Sequence, residues 1–471
     1  MDYSSFSDTI AAPATIPGTG AVTMLRISGP EALEITGKVV KLKSGSVESL
    51  DANSIRYGLV YSDDGSPLDE VMVSVFRAPR SYTGEDSAEI TCHASSFVAS
   101  EILRLLCAAG ARMAAPGEFT RRAFVNGKMD LAQAEAVADV ISSSSSASLR
   151  VAMTQLRGGF SKELASLRAR LVELTSLLEL ELDFSEEDVE FADRPKLYSL
   201  LDEAISHVSS LASSFRHGNA IRNGVPVAIV GAVNAGKSTL LNSLLGDERA
   251  IVSDIPGTTR DTVEETMTVG GILFRFIDTA GLRTASDEVE KIGISRSYKK
   301  LSEASVVLAV LDVSASEEEN ETSISEIVSK IDPSSQKLIV LLNKADILSP
   351  NINVSLINNL VSSSDNKVIK LYISAKTGFG LDLLKTELVS SQKNLNLDSD
   401  QVFVTNQRHF QALLEAGHAL ENARSSLALG LTPDLVAEDL RSALHHLGTI
   451  TGEVTPDELL GQIFSRFCIG K

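Results

Sequence analysis

One segment, VPVAIVGAVNAGKSTLLNSLLG at residues 225–246, constrains the fold of this chain more than any other. An apolar run typical of a buried strand leads into a loop with two glycines, and a helix-forming sequence follows at once. Gly231 and Gly236 let the loop turn its backbone N–H groups inward, and Lys237 is spaced to reach the β- and γ-phosphates of a nucleotide. The Ser238 hydroxyl can ligate Mg²⁺, and the N-terminus of the following helix faces the phosphates. The segment predicts a nucleoside-triphosphate site.

Three further segments follow in the order that a nucleotide-binding α/β domain requires. The strand ILFRFIDTAGL delivers Asp278, which is suited to hold Mg²⁺ through water, and Gly281, whose N–H can reach the γ-phosphate. The strand KLIVLLNKAD delivers Asp346, whose carboxylate can accept from the ring N–H and the exocyclic amine of guanine. In LYISAKTG, the backbone of residues 374–376 can hold the guanine oxygen. Together the four segments predict a GTPase domain.

The nucleotide contacts predicted from these four segments all follow strands. They are Asn234, Ala235, Gly236, Lys237, Ser238 and Thr239; Asp278, Thr279, Ala280 and Gly281; Asn343, Lys344 and Asp346; and Ser374, Ala375 and Lys376. Adenine lacks the ring N–H that Asp346 would accept from, so ATP would leave a buried acceptor unpaired. The site is therefore expected to prefer GTP.

Composition and length exclude several classes of protein. At 471 residues the chain exceeds what one hydrophobic core usually supports, which favours two or three domains. We expect a cytoplasmic protein, because there is no leader, no apolar run long enough for a bilayer, and only Cys92, Cys107 and Cys468. A net charge of −19 argues against a nucleic-acid coat but allows a local basic surface. Two basic clusters fit either that surface or a solvated helix face: Arg121, Arg122 and Lys128, and Arg150, Arg157, Lys162, Arg168 and Arg170.

The pattern along the chain predicts a multidomain protein that combines α+β, helical and α/β parts. Residues 1–126 form an α+β domain, 127–220 the first part of a helical domain, 221–385 a Ras-like α/β P-loop GTPase domain, and 386–471 the second helical part. One apolar stripe runs from Leu149 through Phe160 to Leu178, and the serine run at 142–146 is a helix junction or a packed polar stretch. Neither helical half looks able to bury its stripe alone. We therefore expect one bundle into which the GTPase domain is inserted.

The chain ends in FSRFCIGK, which is not a prenylation box. Three other segments are distinctive: APRSYTGED at 78–86, PGEFTRRAF at 116–124 and NGKMDLAQAEA at 126–136. With the inserted GTPase domain and the terminal Cys-Ile-Gly-Lys, they resemble the bacterial and organellar family of tRNA-modification GTPases called MnmE or TrmE. The resemblance covers essentially the whole chain. One departure is Val233, where many relatives carry proline.

The resemblance implies more than the residues alone indicate. Members of this family are homodimers with a folate-binding N-terminal domain, and they hydrolyse GTP with activation by potassium. They work with a FAD-dependent partner protein of the MnmG or GidA type, in a heterotetramer. The pair installs a (carboxymethyl)aminomethyl-type group on carbon 5 of the wobble uridine of certain tRNAs. A tetrahydrofolate derivative is associated with the one-carbon unit.

By matching positions, the resemblance also implies a site for a 5-formyl-tetrahydrofolate-like ligand. Its residues would be Arg26, Glu89, Lys128 and Lys471. For Arg26 and Lys128 the alternative is an ordinary surface charge. Cys468 is a candidate nucleophile toward uridine by its position, and the alternative for this lone cysteine is inert packing.

Catalysis needs a group that positions the attacking water. Leu282 follows the Asp-Thr-Ala-Gly run and cannot do what the glutamine of Ras-type enzymes does. The resemblance assigns this role to Glu290, acting through a bridging water. The alternative is a solvated acid beside Lys291.

Phosphoryl transfer also needs positive charge near the leaving oxygen. The resemblance implies a potassium ion held by the Asn234 side chain and by backbone oxygens of Ser253, Ile255 and Thr258, with Thr259 joining Ser238 on Mg²⁺. The loop that contains these oxygens is predicted to contact GTP through Ser253, Asp254, Ile255, Pro256, Gly257, Thr258 and Thr259.

Two other functions share the nucleotide site. A ribosome-assembly GTPase would need an RNA-binding module with a Gly-x-x-Gly loop, and the sequence has none that we recognise. A purely regulatory GTP switch would neither bind folate nor change tRNA composition. Analysis of tRNA nucleosides therefore separates the three functions.

Overall fold

The computed structural model describes residues 7–183, 194–246, 265–278, 301–332, 336–347, 369–392, 402–454, 456–465, 467 and 469–470. At residues 179–183, 278, 317, 457 and 458 it describes the backbone alone. Contacts divide the chain into two compact units. The first is drawn from Met1–Ala138, Gln155–Ala204 and Glu415–Lys471, and the second from Asp139–Thr154 and Ile205–Leu414.

The N-terminal part of the first unit is an α+β fold. Its elements are β1 Ile10–Pro13, β2 Val22–Ser28, α1 Ala32–Val39, β3 Val40–Leu42, β4 Ser54–Tyr61, β5 Pro67–Phe76, β6 Ser87–His93, α2 Ser96–Ala108, β7 Arg112–Met113 and α3 Glu118–Val125. Within the described residues the strands form one sheet in the order β3-β4-β5-β6-β2-β1-β7, antiparallel except where β1 meets β7. Val71, Val73 and Val75 on β5 are buried in one core with residues of α1 and α2, whereas Met72 on the other face is exposed. This confirms the predicted α+β fold.

Helices lie on both sides of the nucleotide-binding segment in the sequence. They are α4 Leu131–Ser142, α5 Ser146–Leu156, α6 Gly159–Asp183, α7 Arg194–Ser213 and α8 Phe215–Asn223 before it. After it come α12 Gln407–Ala428, α13 Pro433–Thr451 and α14 Asp457–Phe464. None of these described helices is both long enough and apolar enough to cross a lipid bilayer.

Helices α6 and α13 pack against each other, although the GTPase segment separates them in the sequence. Leu164, Leu171 and Leu178 on α6 are buried at helical spacing. Arg168 on the same helix donates through Nη1 to the carbonyl oxygen of Leu444 on α13, at 2.7 Å. The two helical parts therefore share a core, which confirms that the GTPase domain is inserted.

The predicted single stripe from Leu149 to Leu178 was wrong in one respect. Helix α5 ends at Leu156 and α6 begins at Gly159, because Gly158 takes a left-handed φ of 79° and turns the chain. Leu149 is consequently 43% exposed rather than part of the buried stripe. The serine run is a helix junction between α4 and α5, as one of the two alternatives predicted.

The second unit holds the α/β nucleotide-binding fold. Its elements are β8 Val225–Gly231, α9 Lys237–Leu245, β9 Glu265–Val269, β10 Ile272–Asp278, β11 Val306–Asp312, α10 Glu317–Val328, β12 Lys337–Asn343, β13 Ile369–Tyr372 and α11 Leu381–Ser390. In the described chain the strand order is β13-β12-β11-β8-β10-β9, with only β9 antiparallel to its neighbour. Parallel strands bury both faces, which explains the continuous apolar run of β11. Ala147 and Val151 of α5 belong to the same buried cluster as Phe274 of β10. The core of this sheet thus includes residues before 221, the predicted start of the domain.

Candidate functional site

The loop between β8 and α9 depends on two glycines. Gly231 has a φ of 150°, and a Cβ there would lie 2.2 Å from the carbonyl oxygen of Val310 on β11. Gly236 caps α9 with a φ of 95°, and a Cβ there would lie 2.2 Å from Nδ2 of Asn343. Any side chain at either position would therefore displace the neighbouring strand end. The loop is a backbone cradle of the shape that phosphate binding requires.

Two side chains of this loop are held in defined positions. Lys237 donates through Nζ to the carbonyl oxygens of Gly231 and Ala232, both at 2.8 Å, so its ammonium lies across the loop. Asn234 has a left-handed φ of 63°, which asparagine tolerates better than most residues. Ser238 and Thr239 follow in the first turn of α9. The structure thus brings the predicted phosphate-binding residues together at one helix N-terminus.

Asn343, at the end of β12, joins two loops. Its Nδ2 donates to the carbonyl oxygen of Ala235 at 2.8 Å, and its Oδ1 accepts from the backbone N–H of Ala375 at 2.9 Å. Because the side chain is only 2% exposed, both bonds are shielded from water. Asn343 therefore fixes the phosphate loop relative to the loop that contains Ala375.

Asp346 and Ser374 form the end of the site where the sequence predicts guanine. The Ser374 hydroxyl donates to Oδ1 of Asp346 at 2.6 Å. This hydrogen bond holds the pKa of Asp346 below its usual range, and the nearby Lys376 and Lys344 act in the same direction. Lys344, whose φ is 67°, forms an ion pair with Asp312 at 2.5 Å. The lowered pKa of Asp346 keeps its carboxylate ionised, so that it can accept hydrogen bonds.

Several predicted contacts of this site lie outside the described residues. They are Ser253, Asp254, Ile255, Pro256, Gly257, Thr258, Thr259, Thr279, Ala280, Gly281 and Glu290. Asp278 ends β10, and its backbone pairs in register with Ile229 on β8, two residues before Gly231. The end of β10 therefore lies beside the start of the phosphate loop.

A second cluster of predicted residues lies on the N-terminal sheet. Arg26 on β2 and Glu89 on β6 are cross-strand neighbours, and Nε and Nη2 of the guanidinium donate to one carboxylate oxygen at 3.0 and 2.8 Å. The guanidinium also lies 5.3 Å from the ring centre of Tyr82 and 5.7 Å from that of Phe119. Its Nη1 is 3.5 Å from the carbonyl oxygen of Gly470. Strand, loop, helix and C-terminal segment therefore meet at this arginine.

Of the two other residues predicted to bind folate, the structure describes only Lys128. Lys128 donates through Nζ to the carbonyl oxygen of Pro79 at 2.9 Å, on the same loop that carries Tyr82. Lys471 and Cys468 lie outside the described residues. Gly470, next to Lys471, has a φ of 94°, and a Cβ there would lie 2.1 Å from the carbonyl oxygen of Pro13. Gly470 is therefore packed closely against the end of β1 and the residue that follows it.

Comparison with known proteins gives matches over nearly the whole chain. Residues 9–128 match the family described as "GTP-binding protein TrmE N-terminus", and residues 131–468 match "MnmE helical domain". A tRNA modification GTPase MnmE of Bacteroides fragilis is 48% identical over 468 residues, covering 98% of this chain and 99% of that protein. The chain belongs to the MnmE family.

Other members agree with this assignment. The tRNA modification GTPase MnmE of Flavobacterium johnsoniae is 48% identical, covering 98% of this chain and 99% of its own, and that of Porphyromonas gingivalis is 46% identical, covering 100% and 99%. Among solved structures, the G domain of the T. maritima FeoB iron transporter matches 36% of this chain and 99% of its own, with 26% identity and a TM-score of 0.27. As an MnmE-family protein the chain is a GTPase with a role in tRNA modification.

Sequence reasoning missed part of the N-terminal site of this MnmE-family chain. Tyr82 and Phe119 contact Arg26, but the segments that contain them carried no assigned role. For Arg122 both predicted alternatives, a local basic surface and a solvated helix face, were wrong, because its side chain is fully buried. It pairs with Asp8 at 2.7 Å, with Glu118 at 3.1 Å and with Glu85 at 3.2 Å. Glu85 and Glu118 lie within two of the distinctive segments and were the available signal for part of this pairing, whereas Asp8 lies outside them.

Proposed function

We propose that this protein is a potassium-activated GTP hydrolase that, with a FAD-dependent partner of the MnmG type, adds a (carboxymethyl)aminomethyl group to carbon 5 of the wobble uridine of certain tRNAs. A tetrahydrofolate derivative would supply the one-carbon unit. The observation that carries the proposal is the meeting of Arg26, Glu89 and the Gly470 backbone at one site, in a chain that also has the nucleotide site of a GTPase. A plain GTP switch has no need of the first of these sites.

The residues present fit a guanine nucleotide with Mg²⁺. Gly236 lets the phosphate loop lie close to Asn343, because a Cβ at this position would collide with the Asn343 side chain. The carboxylate of Asp346 is oriented by its hydrogen bond from Ser374. Ser238 and Thr259 would hold Mg²⁺ directly, and Asp278 would do so through water. The metal would neutralise charge that develops on the phosphates. Within the described residues no group of three or more His, Cys, Asp and Glu side chains forms another metal site.

Potassium would complete the site at the phosphate loop. The amide oxygen of Asn234 and the backbone oxygens of Ser253, Ile255 and Thr258 are neutral donors of the kind that a large monovalent cation accepts. Such a cation replaces the charge of an arginine finger. Replacing potassium by sodium at equal ionic strength should slow turnover strongly and leave GDP affinity nearly intact. Equal rates in both salts would refute this part of the proposal.

A substitution at Asn234 can separate the ligand role from backbone strain. Asn234→Gly removes the amide but tolerates the left-handed φ, whereas Asn234→Ala also strains the loop. Asn234→Gly should lose most of the difference between potassium and sodium. If it keeps the full potassium dependence, Asn234 is not a ligand.

Glu290 is proposed to position the attacking water. Glu290→Ala should keep GTP affinity and lose hydrolysis, because such a group acts mainly in the transition state. Glu288→Ala, two residues earlier in the same acidic segment, serves as the matched control and should hydrolyse GTP at the parental rate. Parental hydrolysis by Glu290→Ala would assign Glu290 to the solvated surface.

The N-terminal site has the charges that a folate needs. Arg26, Lys128 and Lys471 are cations for the glutamate tail, and Glu89 is a carboxylate for the donors of the pterin ring. Bound there, a tetrahydrofolate would carry the one-carbon unit. Cys468, three residues before Lys471, is a second candidate group for the uridine chemistry, with inert packing as the alternative.

The proposal is tested by nucleoside analysis of tRNA. A strain that lacks this gene should lose the modified wobble uridine, and the parental gene should restore it. A gene with Glu89→Gln should fail to restore it even though its product hydrolyses GTP. The full chain should also purify as a homodimer and associate with the partner protein. Unchanged nucleosides in the deletion strain would leave only the GTPase.

A further inference from the structure

A serine on the helix that follows the phosphate loop contacts the guanine end of the site. Ser243 lies on α9, six residues after Lys237, and its hydroxyl donates to the carbonyl oxygen of Ala375 at 2.5 Å. The hydroxyl of a serine within a helix commonly bonds to the carbonyl three or four residues earlier in its own helix. Here the acceptor is 132 positions away in the sequence. This hydrogen bond ties α9 to the Ser374–Lys376 loop.

The bond controls the direction of the next backbone N–H. The peptide between Ala375 and Lys376 is planar, so its N–H points opposite to the carbonyl that Ser243 holds. The N–H of Ala375 is already taken by Asn343. Within the described residues the N–H of Lys376 has no hydrogen-bond partner. The loop therefore presents one oriented backbone donor, on the side away from α9 and next in sequence to the pair formed by Ser374 and Asp346.

We propose that Ser243 is a positioning residue for guanine specificity, which acts by aiming the Lys376 N–H at the 6-oxo group of the base. This inference rests on the proposed binding of guanine at Asp346. Asp346 would accept from the ring N–H and the amine of guanine, and the Lys376 N–H would donate to the 6-oxo oxygen. An adenine base offers an amine at that position, which would face the donor with another donor. Ser243 thereby strengthens the preference for guanine without contacting the nucleotide.

The test compares GDP with 6-thio-GDP, which keeps the ring N–H and the amine but replaces the 6-oxo oxygen by a weakly accepting sulfur. Calorimetry with the full-length chain gives both dissociation constants for the parent, Ser243→Ala, Ser243→Thr and the control Ser390→Ala. Ser390 is also a helical serine, but its hydroxyl bonds within its own helix, to the carbonyl oxygen of Glu387. Alanine is the best helix former, so Ser243→Ala keeps α9 intact.

Ser243→Ala should bind GDP about five- to tenfold more weakly, the size expected when one positioned hydrogen bond is lost. Its affinity for 6-thio-GDP should change less than about twofold, because sulfur gains little from the donor. Ser243→Thr should restore the parental ratio, and Ser390→Ala should keep it.

Other results separate the possible failures. Equal weakening for both ligands, or none, would overturn the role of Ser243 while leaving guanine at Asp346. Two results together would overturn both the inference and the proposed guanine site. The parent would bind GDP and 6-thio-GDP with equal affinity, and Asp346→Asn would bind GDP as tightly as the parent does.

Discussion

The two sites of this chain are built in opposite ways. The nucleotide site is shaped by backbone geometry: Gly231 and Gly236 admit no side chain, and Asn343 holds two loops through neutral hydrogen bonds. The N-terminal site is shaped by charge, because Arg26 is held by Glu89 and by the backbone at Gly470. The first site should therefore be sensitive to added atoms and the second to lost charges.

The largest expected effect tests the backbone side of this contrast. Gly236→Ala should weaken GDP binding at least about a hundredfold, since the new Cβ would overlap Asn343 and also strain a left-handed residue. The control is Gly378→Ala, at a similar φ of 82° but with nothing within 4 Å of its Cβ. It should cost only about 1 kcal/mol of stability through the backbone. Calorimetry and urea unfolding measure the two effects. Equal losses of affinity in both variants would contradict the steric argument.

A smaller effect is expected at the charged site. Arg26→Gln and Glu89→Gln should each weaken 5-formyl-tetrahydrofolate binding about ten- to thirtyfold, because each leaves a polar partner unpaired. The free energy of unfolding should fall by about 1–3 kcal/mol as well, since both side chains are only 18% exposed and the remaining partner is left largely buried. GDP affinity should be parental. A large loss of stability without a loss of folate affinity would show that the pair is structural.

The smallest effect is a shift in pH dependence. The pKa of Asp346 is lowered chiefly by the Ser374 hydroxyl, so the carboxylate stays ionised, and able to accept from guanine, until the pH falls through this lowered value. Ser374→Ala removes the largest cause of the lowering. GDP affinity should then begin to fall at a higher pH than in the parent, severalfold at the acid end. Dissociation constants are measured from pH 7 downward. Ser314→Ala, which removes a similar hydroxyl from Asp312, is the control and should follow the parental curve.

The same contrast explains which residues of the two sites could be predicted from the sequence. The phosphate loop, Asp346 and Ser374 are contiguous with strands whose apolar runs are easy to recognise, so the motif and its location come together. The surroundings of Arg26 are not local: Tyr82, Phe119 and Gly470 come from three distant segments. Ser243 was equally hidden, because its partner Ala375 lies far along the chain and a helical serine normally bonds locally. Long-range pairing depends on the tertiary fold, which periodicity cannot give.

The bond between Arg26 and Gly470 also sets an order of events during protein synthesis. The two residues are 444 positions apart, so at ribosomal speed Arg26 leaves the peptidyl transferase centre roughly 20–90 s before its partner is made. The sheet that binds nucleotide takes its last strand from Ile369–Tyr372, about a hundred residues earlier than Gly470. A nascent chain can therefore complete its GTPase core while its first-made domain still lacks the segment that closes on Arg26. The domain that is synthesised first is therefore the last to be completed.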